Sequence, residues 1–328
     1  MTEIRDIKKY FSRIGAVFFA GSLLIFAVQF AMSWLQHKFF SQTSGNYDIT
    51  LFVSSLSMYV IAMPLLVLLV RRIPGAEPVQ HKMKAGKWFI AFFMAYALMY
   101  LSNLFGVLTT EIMGQLKGDT IANPLQDVVT GISPLTALVL MVVCAPIIEE
   151  YVFRKLIVDR TVQYGEKTAI VLSGLMFALF HGNLNQFVYA LVLGMFFAFI
   201  YVKTGKLIYS ITLHGAINFM GSIPGMLLLK SEVFRQMESV SAADTDALMA
   251  LVTEHMSEIM VYLGYLALVF VLVIVGIVCW AVNFKKMKCV PAEIVIPKGQ
   301  RFKTMILNLG MILYSLFWIV QIVKQILE

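Results

Sequence analysis

The sequence predicts an all-α polytopic membrane protein with about eight to nine transmembrane helices and a cytoplasmic N-terminus. Three observations carry this. Of 328 residues, 59% are hydrophobic and 14% charged, with mean hydropathy +0.81; soluble domains are near a quarter charged and under half apolar. Runs of roughly 20 apolar residues, the length a bilayer core requires, recur along the chain. Lys and Arg crowd into alternate connections between those runs.

The candidate spans fall at 14–35, 49–70, 88–109, 133–157, 168–181, 186–202, 207–229, 259–282 and 305–323. The fifth and sixth are short. The ninth could instead lie in the interface, which would leave eight. The first is too long for a signal-peptide core and has no convincing small-x-small cleavage site after it, so it reads as a retained span. Pro64, Pro146 and Pro224 lie inside apolar runs and read as kinks whose freed carbonyls are satisfied by neighbouring helices.

Across the nine spans, 21 of the 26 Lys and Arg fall on one side and 5 on the other. The positive-inside rule assigns the richer side, with the N-terminus, to the cytoplasm. The net charge of +7 is therefore a topology signal, and nucleic-acid binding has no support. The 3 cysteines cannot build a disulfide framework: Cys144 and Cys279 sit in apolar runs and Cys289 in a basic stretch. There is no internal repeat, and the hydrophilic loops are too short for a second domain. Residues 1–328 read as one integral membrane domain.

Ionisable groups inside a bilayer are costly and are functional candidates by default. Here they cluster mid-chain. Glu149 and Glu150 end an apolar run, with Arg154 one turn on; His181 closes the fifth span; His214 lies two turns into the seventh, followed by Asn218. Glu150 and Arg154 are spaced i, i+4 and can pair on one helix face. Glu149 is rotated about 100° away and cannot share that partner as easily. His214 and Asn218, and also Phe177 and His181, repeat the i, i+4 spacing. Singly, each has a plain structural reading: a helix anchor, or interhelical hydrogen-bonding glue. A carboxylate without a helix partner, two imidazoles and an amide on three nearby helices are harder to explain as glue.

Rise per residue places Glu149 about 12 Å, His214 about 10 Å and His181 about 20 Å from the cytoplasmic ends of their spans. The three are roughly compatible with a cavity entered from the cytoplasm, with one tension. His181 is too deep unless its helix begins later or tilts.

Glu149-Glu150-Tyr-Val-Phe-Arg154 resembles the EExxxR motif of the CAAX protease and bacteriocin-processing family, also called the Abi or type II CAAX prenyl endopeptidase family. Phe177-Ala-Leu-Phe-His181 resembles its FxxxH motif, and His214-Gly-Ala-Ile-Asn218 its HxxxN motif. Any one is weak; the ordered triple within 135–228, the family's catalytic core, is specific. The resemblance implies an intramembrane endopeptidase acting on membrane-associated, lipidated or leader peptides. Carried over by position, Glu149 would activate water, with His181 helping to hold it. His214 and Asn218 would form the oxyanion hole, and Glu150, Arg154 and Phe177 would support the site. The family is better described as glutamate proteases than as zinc enzymes, so no cofactor is expected. A metal-dependent version would use Glu149, His181 and His214 as ligands.

Two other functions fit less of the sequence. A non-catalytic immunity or scaffold protein would share the resemblance, since the family includes immunity proteins. A proton-coupled transporter could use buried carboxylates and histidines, but no inverted repeat or paired broken helices accompany them. The expected setting is a multi-pass protein of a bacterial cell membrane, with its site open toward the cytoplasm. Its partners would be membrane lipid and a peptide or protein substrate. The spacing of Gly221 and Gly225 is more consistent with a bend at Pro224 than with a dimer face, and oligomeric state is not specified.

Overall fold

The computed structural model describes residues 2–240 and 244–328. Twelve helices position the site: α1 Thr2–Phe39, α2 Tyr47–Arg71, α3 Ala85–Lys117, α4 Pro124–Gly131, α5 Pro134–Tyr164, α6 Glu166–Phe180, α7 Leu184–Thr204, α8 Leu207–Leu229, α9 Glu232–Ser239, α10 Thr245–Glu254, α11 Met256–Lys286 and α12 Leu309–Leu327. No strand occurs among the described residues.

Eight of these are long and apolar enough to cross a membrane: α1, α2, α3, α5, α7, α8, α11 and α12. The segment expected to leave the count at eight was the last one, yet α12 is among the eight. The fifth candidate, 168–181, is the one that drops out. It forms α6, whose 15 residues give a rise of about 22 Å, short of the roughly 30 Å hydrocarbon core. The chain then turns through His181, Gly182 and Asn183. Gly182 takes φ +64°, a left-handed conformation open to glycine, under the ring of Trp318 from α12. Asn183 caps α7 by accepting from the Gln186 N–H. The α6–α7 pair is thus a hairpin whose turn is held at Gln325 of α12, which accepts from the Leu184 N–H. The depth conflict at His181 is removed at α5, which runs on to Tyr164 and so sets Glu149, like His181, about 22 Å from the basic end of its helix.

The packing has two halves. In one, Phe11, Phe18, Leu66, Phe153, Met176, Phe177 and Tyr314 join α1, α2, α5, α6 and α12 in a common core. In the other, Tyr96, Phe196, Phe197, Leu213 and Ile217 join α3, α7 and α8, with α11 packed on α3 outside them. Glycines let α6 and α7 touch: a Cβ added to Gly194 would stand 3.1 Å from the Gly174 Cα. This is the small-residue contact by which membrane helices gain van der Waals packing.

Loop contacts sort the connections onto two ends. At one end the Tyr10 hydroxyl donates to the Pro74 carbonyl at 2.6 Å, the His81 N–H to Thr204 at 2.8 Å, and the Val290 N–H to the Glu166 carboxylate at 2.6 Å. This end gathers the Lys- and Arg-rich loops. At the other end the Ser133 N–H donates to Asp48 at 2.7 Å and Gln325 to the Ala122 carbonyl at 2.8 Å.

α5 is not a uniform helix. Leu138–Cys144 and Glu150–Leu156 wind with π-helical spacing on either side of Ala145–Glu149, an irregularity frequent at functional sites. In the first stretch the Ala145 N–H reaches back five residues to the Leu140 carbonyl. In that register the next carbonyl, Met141, would be the partner of Pro146, which has no N–H. Asn218 of α8 takes its place, donating to the Met141 oxygen at 2.9 Å. In the second stretch the Phe153 carbonyl accepts from the Ser173 hydroxyl of α6 at 2.7 Å. The neighbours that satisfy α5 are thus the helices that carry the remaining site residues.

Candidate functional site

Glu150 and Arg154 are fully buried, and Arg154 Nε lies 3.1 Å from Glu150 Oε2. A buried guanidinium requires both charge compensation and donors satisfied. Here Nη1 donates to the Ser173 hydroxyl at 3.2 Å, and the group stacks on the Phe177 ring at 4.4 Å, while Nη2 has no hydrogen-bond partner among the described residues. The other Glu150 oxygen lies 2.9 Å from His214 Nδ1. Glu150 is therefore held between a cation on its own helix and an imidazole on α8.

Glu149 lies one residue earlier, and its side chain is turned into an internal cavity of about 450 Å³. Its Oε2 is 3.8 Å from His214 Nε2, so the His214 ring stands between the two carboxylates. Phe197 stacks on that ring at 5.2 Å and Phe177 meets it edge-on at 5.9 Å, which fixes its plane. His181 lines the same cavity. Its Nδ1 donates to the Phe177 carbonyl at 2.9 Å, so in the neutral ring Nε2 is left as an acceptor. Asn218 also lines the cavity, with its amide anchored on Met141.

The structure thus brings Glu149, His181, His214 and Asn218 to one cavity and sets Glu150, Arg154 and Phe177 behind them. Among the described residues, no three His, Cys, Asp or Glu side chains are grouped so as to hold a metal ion. Several lining groups were not anticipated from sequence: Tyr59 of α2, Asn103 of α3, and Gln186 and Tyr189 of α7. Gln186 and Tyr189, spaced i, i+3 at the start of an apolar run, were a readable signal. Tyr59 carried none, because it reaches the cavity only through the packing of α2.

The cavity extends from Glu149 along Leu51, Leu125, Val128 and Ser222, which belong to the end of the bundle opposite the basic loops. An entrance from the basic end was expected from the depth counts. The lining puts the open volume on the other side of Glu149.

Fold and site together define a polytopic helical membrane protein with a cluster of carboxylate, imidazole and amide groups around one internal cavity. Residues 131–220 match the family described as Rce1-like, type II CAAX prenyl endopeptidase Rce1-like. The match spans all three motifs and agrees with the CAAX protease family that they resemble. No curated protein matches the chain, and no solved structure matches it.

Proposed function

We propose that the protein is an intramembrane endopeptidase of the glutamate type, hydrolysing peptide bonds in membrane-associated, lipidated or leader peptides. The supporting observation is the convergence of Glu149, His181, His214 and Asn218 on one cavity, with the Glu150–Arg154 pair bracing His214 from behind. In this reading the Glu149 carboxylate takes a proton from a water that also donates to the His181 Nε2 lone pair. The resulting hydroxide adds to the scissile carbonyl, and hydrogen-bond donors of the site stabilise the oxyanion. Glu149 then returns its proton to the departing amine. Glu149 suits the role because the side chain it meets on the cavity side is the His214 imidazole at 3.8 Å, while Glu150 is occupied by Arg154.

No metal is assigned a part. Cleavage of a quenched peptide library by the purified protein, with and without a chelator, tests both halves of the proposal. Activity lost in Glu149→Ala and retained with chelator supports it. Loss with chelator would transfer the assignment to a metalloprotease, and full activity in Glu149→Ala would overturn it.

Orientation is part of the same proposal. The Lys and Arg bias assigns the basic end and the N-terminus to the cytoplasm. The cavity then lies on the non-cytoplasmic side of Glu149, so a cytoplasmic N-terminus and a cytoplasmic entrance are not both met by this cavity. We assign the basic end to the cytoplasm and take the entrance to be on the α4 side.

A further inference from the structure

An oxyanion needs donors, and the two residues that resemblance assigns to it have few to spare. His214 Nδ1 faces a Glu150 oxygen at 2.9 Å. With its proton committed there, a neutral imidazole presents Nε2 as an acceptor, and only the imidazolium donates to the cavity. Asn218 commits one amide hydrogen to the Met141 carbonyl.

A chain of hydrogen bonds at the α6–α7 turn supplies another donor. It can be oriented from groups whose polarity is not in question. The Gln186 main-chain N–H donates to Asn183 at 2.9 Å, so the Asn183 atom it meets is the oxygen. The Asn183 nitrogen accordingly donates to the His181 carbonyl at 2.9 Å and to the Gln186 side-chain oxygen at 2.7 Å. That fixes the Gln186 nitrogen as the atom 2.5 Å from the Tyr189 hydroxyl. Tyr189 is therefore an acceptor toward Gln186. Its own hydrogen has no acceptor among the described residues and is free to turn toward the cavity that Tyr189 lines. The Tyr189 ring stands edge-on to His181 at 6.5 Å, and both line the cavity that holds Glu149.

We propose that Tyr189 is a further catalytic residue, its phenol O–H donating to the carbonyl oxygen of the bond being cleaved. The assignment rests on the endopeptidase reading and adds a donor to it. A donor aimed at the attacking water would tie up the lone pair needed for attack, so the carbonyl oxygen is the useful target. Tyr59 lines the same cavity, but nothing comparable orients its hydroxyl. Tyr189 is preorganised, and preorganised donors stabilise a developing charge without reorganisation.

The test compares kcat and KM for wild type, Glu149→Ala, Tyr189→Phe, Gln186→Glu and Tyr262→Phe on a peptide selected for cleavage by wild type. Thermal unfolding is run on each variant. Tyr189→Phe is expected to lose about 10²-fold in kcat with KM little changed, the scale for removing one oxyanion donor. Gln186→Glu keeps the acceptor for Asn183 but offers Tyr189 an oxygen instead of a nitrogen. It therefore draws the phenol hydrogen away from the cavity and is expected to match the kcat loss of Tyr189→Phe. Combining the two should cost no more than either, and Tyr262→Phe, on α11 and outside the cavity lining, should retain kcat. Wild-type kcat in Tyr189→Phe would overturn the assignment while leaving the endopeptidase reading intact. If Tyr189→Phe does not fold, wild-type kcat in Gln186→Glu would overturn it equally. A wild type no more active than Glu149→Ala across the peptide panel would remove the endopeptidase reading, and this assignment with it.

Discussion

Asn218 donates its side-chain N–H to the Met141 main-chain oxygen at 2.9 Å, the carbonyl that Pro146 cannot serve. One amide thereby ties the α8 motif to the kink that presents Glu149. Asn218→Ala should destabilise the protein by about 1–3 kcal/mol, the cost of leaving a buried polar group unpaired. Pro146→Ala restores an N–H that can reach Met141, so in that background the loss on Asn218→Ala should shrink. A double-mutant cycle on thermal midpoints measures this coupling, and additive effects would contradict it.

The two adjacent glutamates should separate stability from activity. Glu150→Gln leaves the fully buried Arg154 uncompensated and should cost about 3–5 kcal/mol. Glu149→Gln removes a charge from an apolar setting, so it should leave the unfolding midpoint unchanged or raise it while abolishing hydrolysis. Thermal unfolding in detergent and the cleavage assay together check the pair.

Gly194→Ala puts a methyl 3.0 Å from the Phe177 ring and 3.1 Å from the Gly174 Cα. Overpacking of this kind typically costs about 1–3 kcal/mol. Because Phe177 carries both the Arg154 stack and the His181 hydrogen bond, kcat should fall along with stability. Gly225→Ala, where an added Cβ has open space, is the control expected to change neither.

Topology is checked by labelling single cysteines in intact cells with an impermeant maleimide. Ser41→Cys at the α1–α2 connection should label, and Lys298→Cys at the basic end should not. The native Cys289 is a poor reporter for that end, since burial pushes its thiol above the usual range, so both variants belong in a cysteine-free background. The reverse pattern would place the N-terminus outside and the α4 end of the cavity in the cytoplasm.

Much of this protein is legible in its sequence because the bilayer imposes simple physics on it. Apolar length reports the spans, Lys and Arg bias sorts the connections, and the cost of burying charge makes Glu149, Glu150, Arg154, His181 and His214 conspicuous. The i, i+4 rule also anticipates the Glu150–Arg154 pair, because both partners lie on one helix and need no tertiary contact to meet. What only the tertiary structure decided depends on contacts between helices. The apolar run at 168–181 looks like a span, yet α6 stops short and turns at Gly182 beneath Trp318. The winding of α5 is set by who satisfies its carbonyls, and Asn218 and Ser173 come from 77 and 20 residues away. His214 meets both glutamates for the same reason. Its direction is fixed by a partner 64 residues away in the chain, and linear spacing carries no record of it.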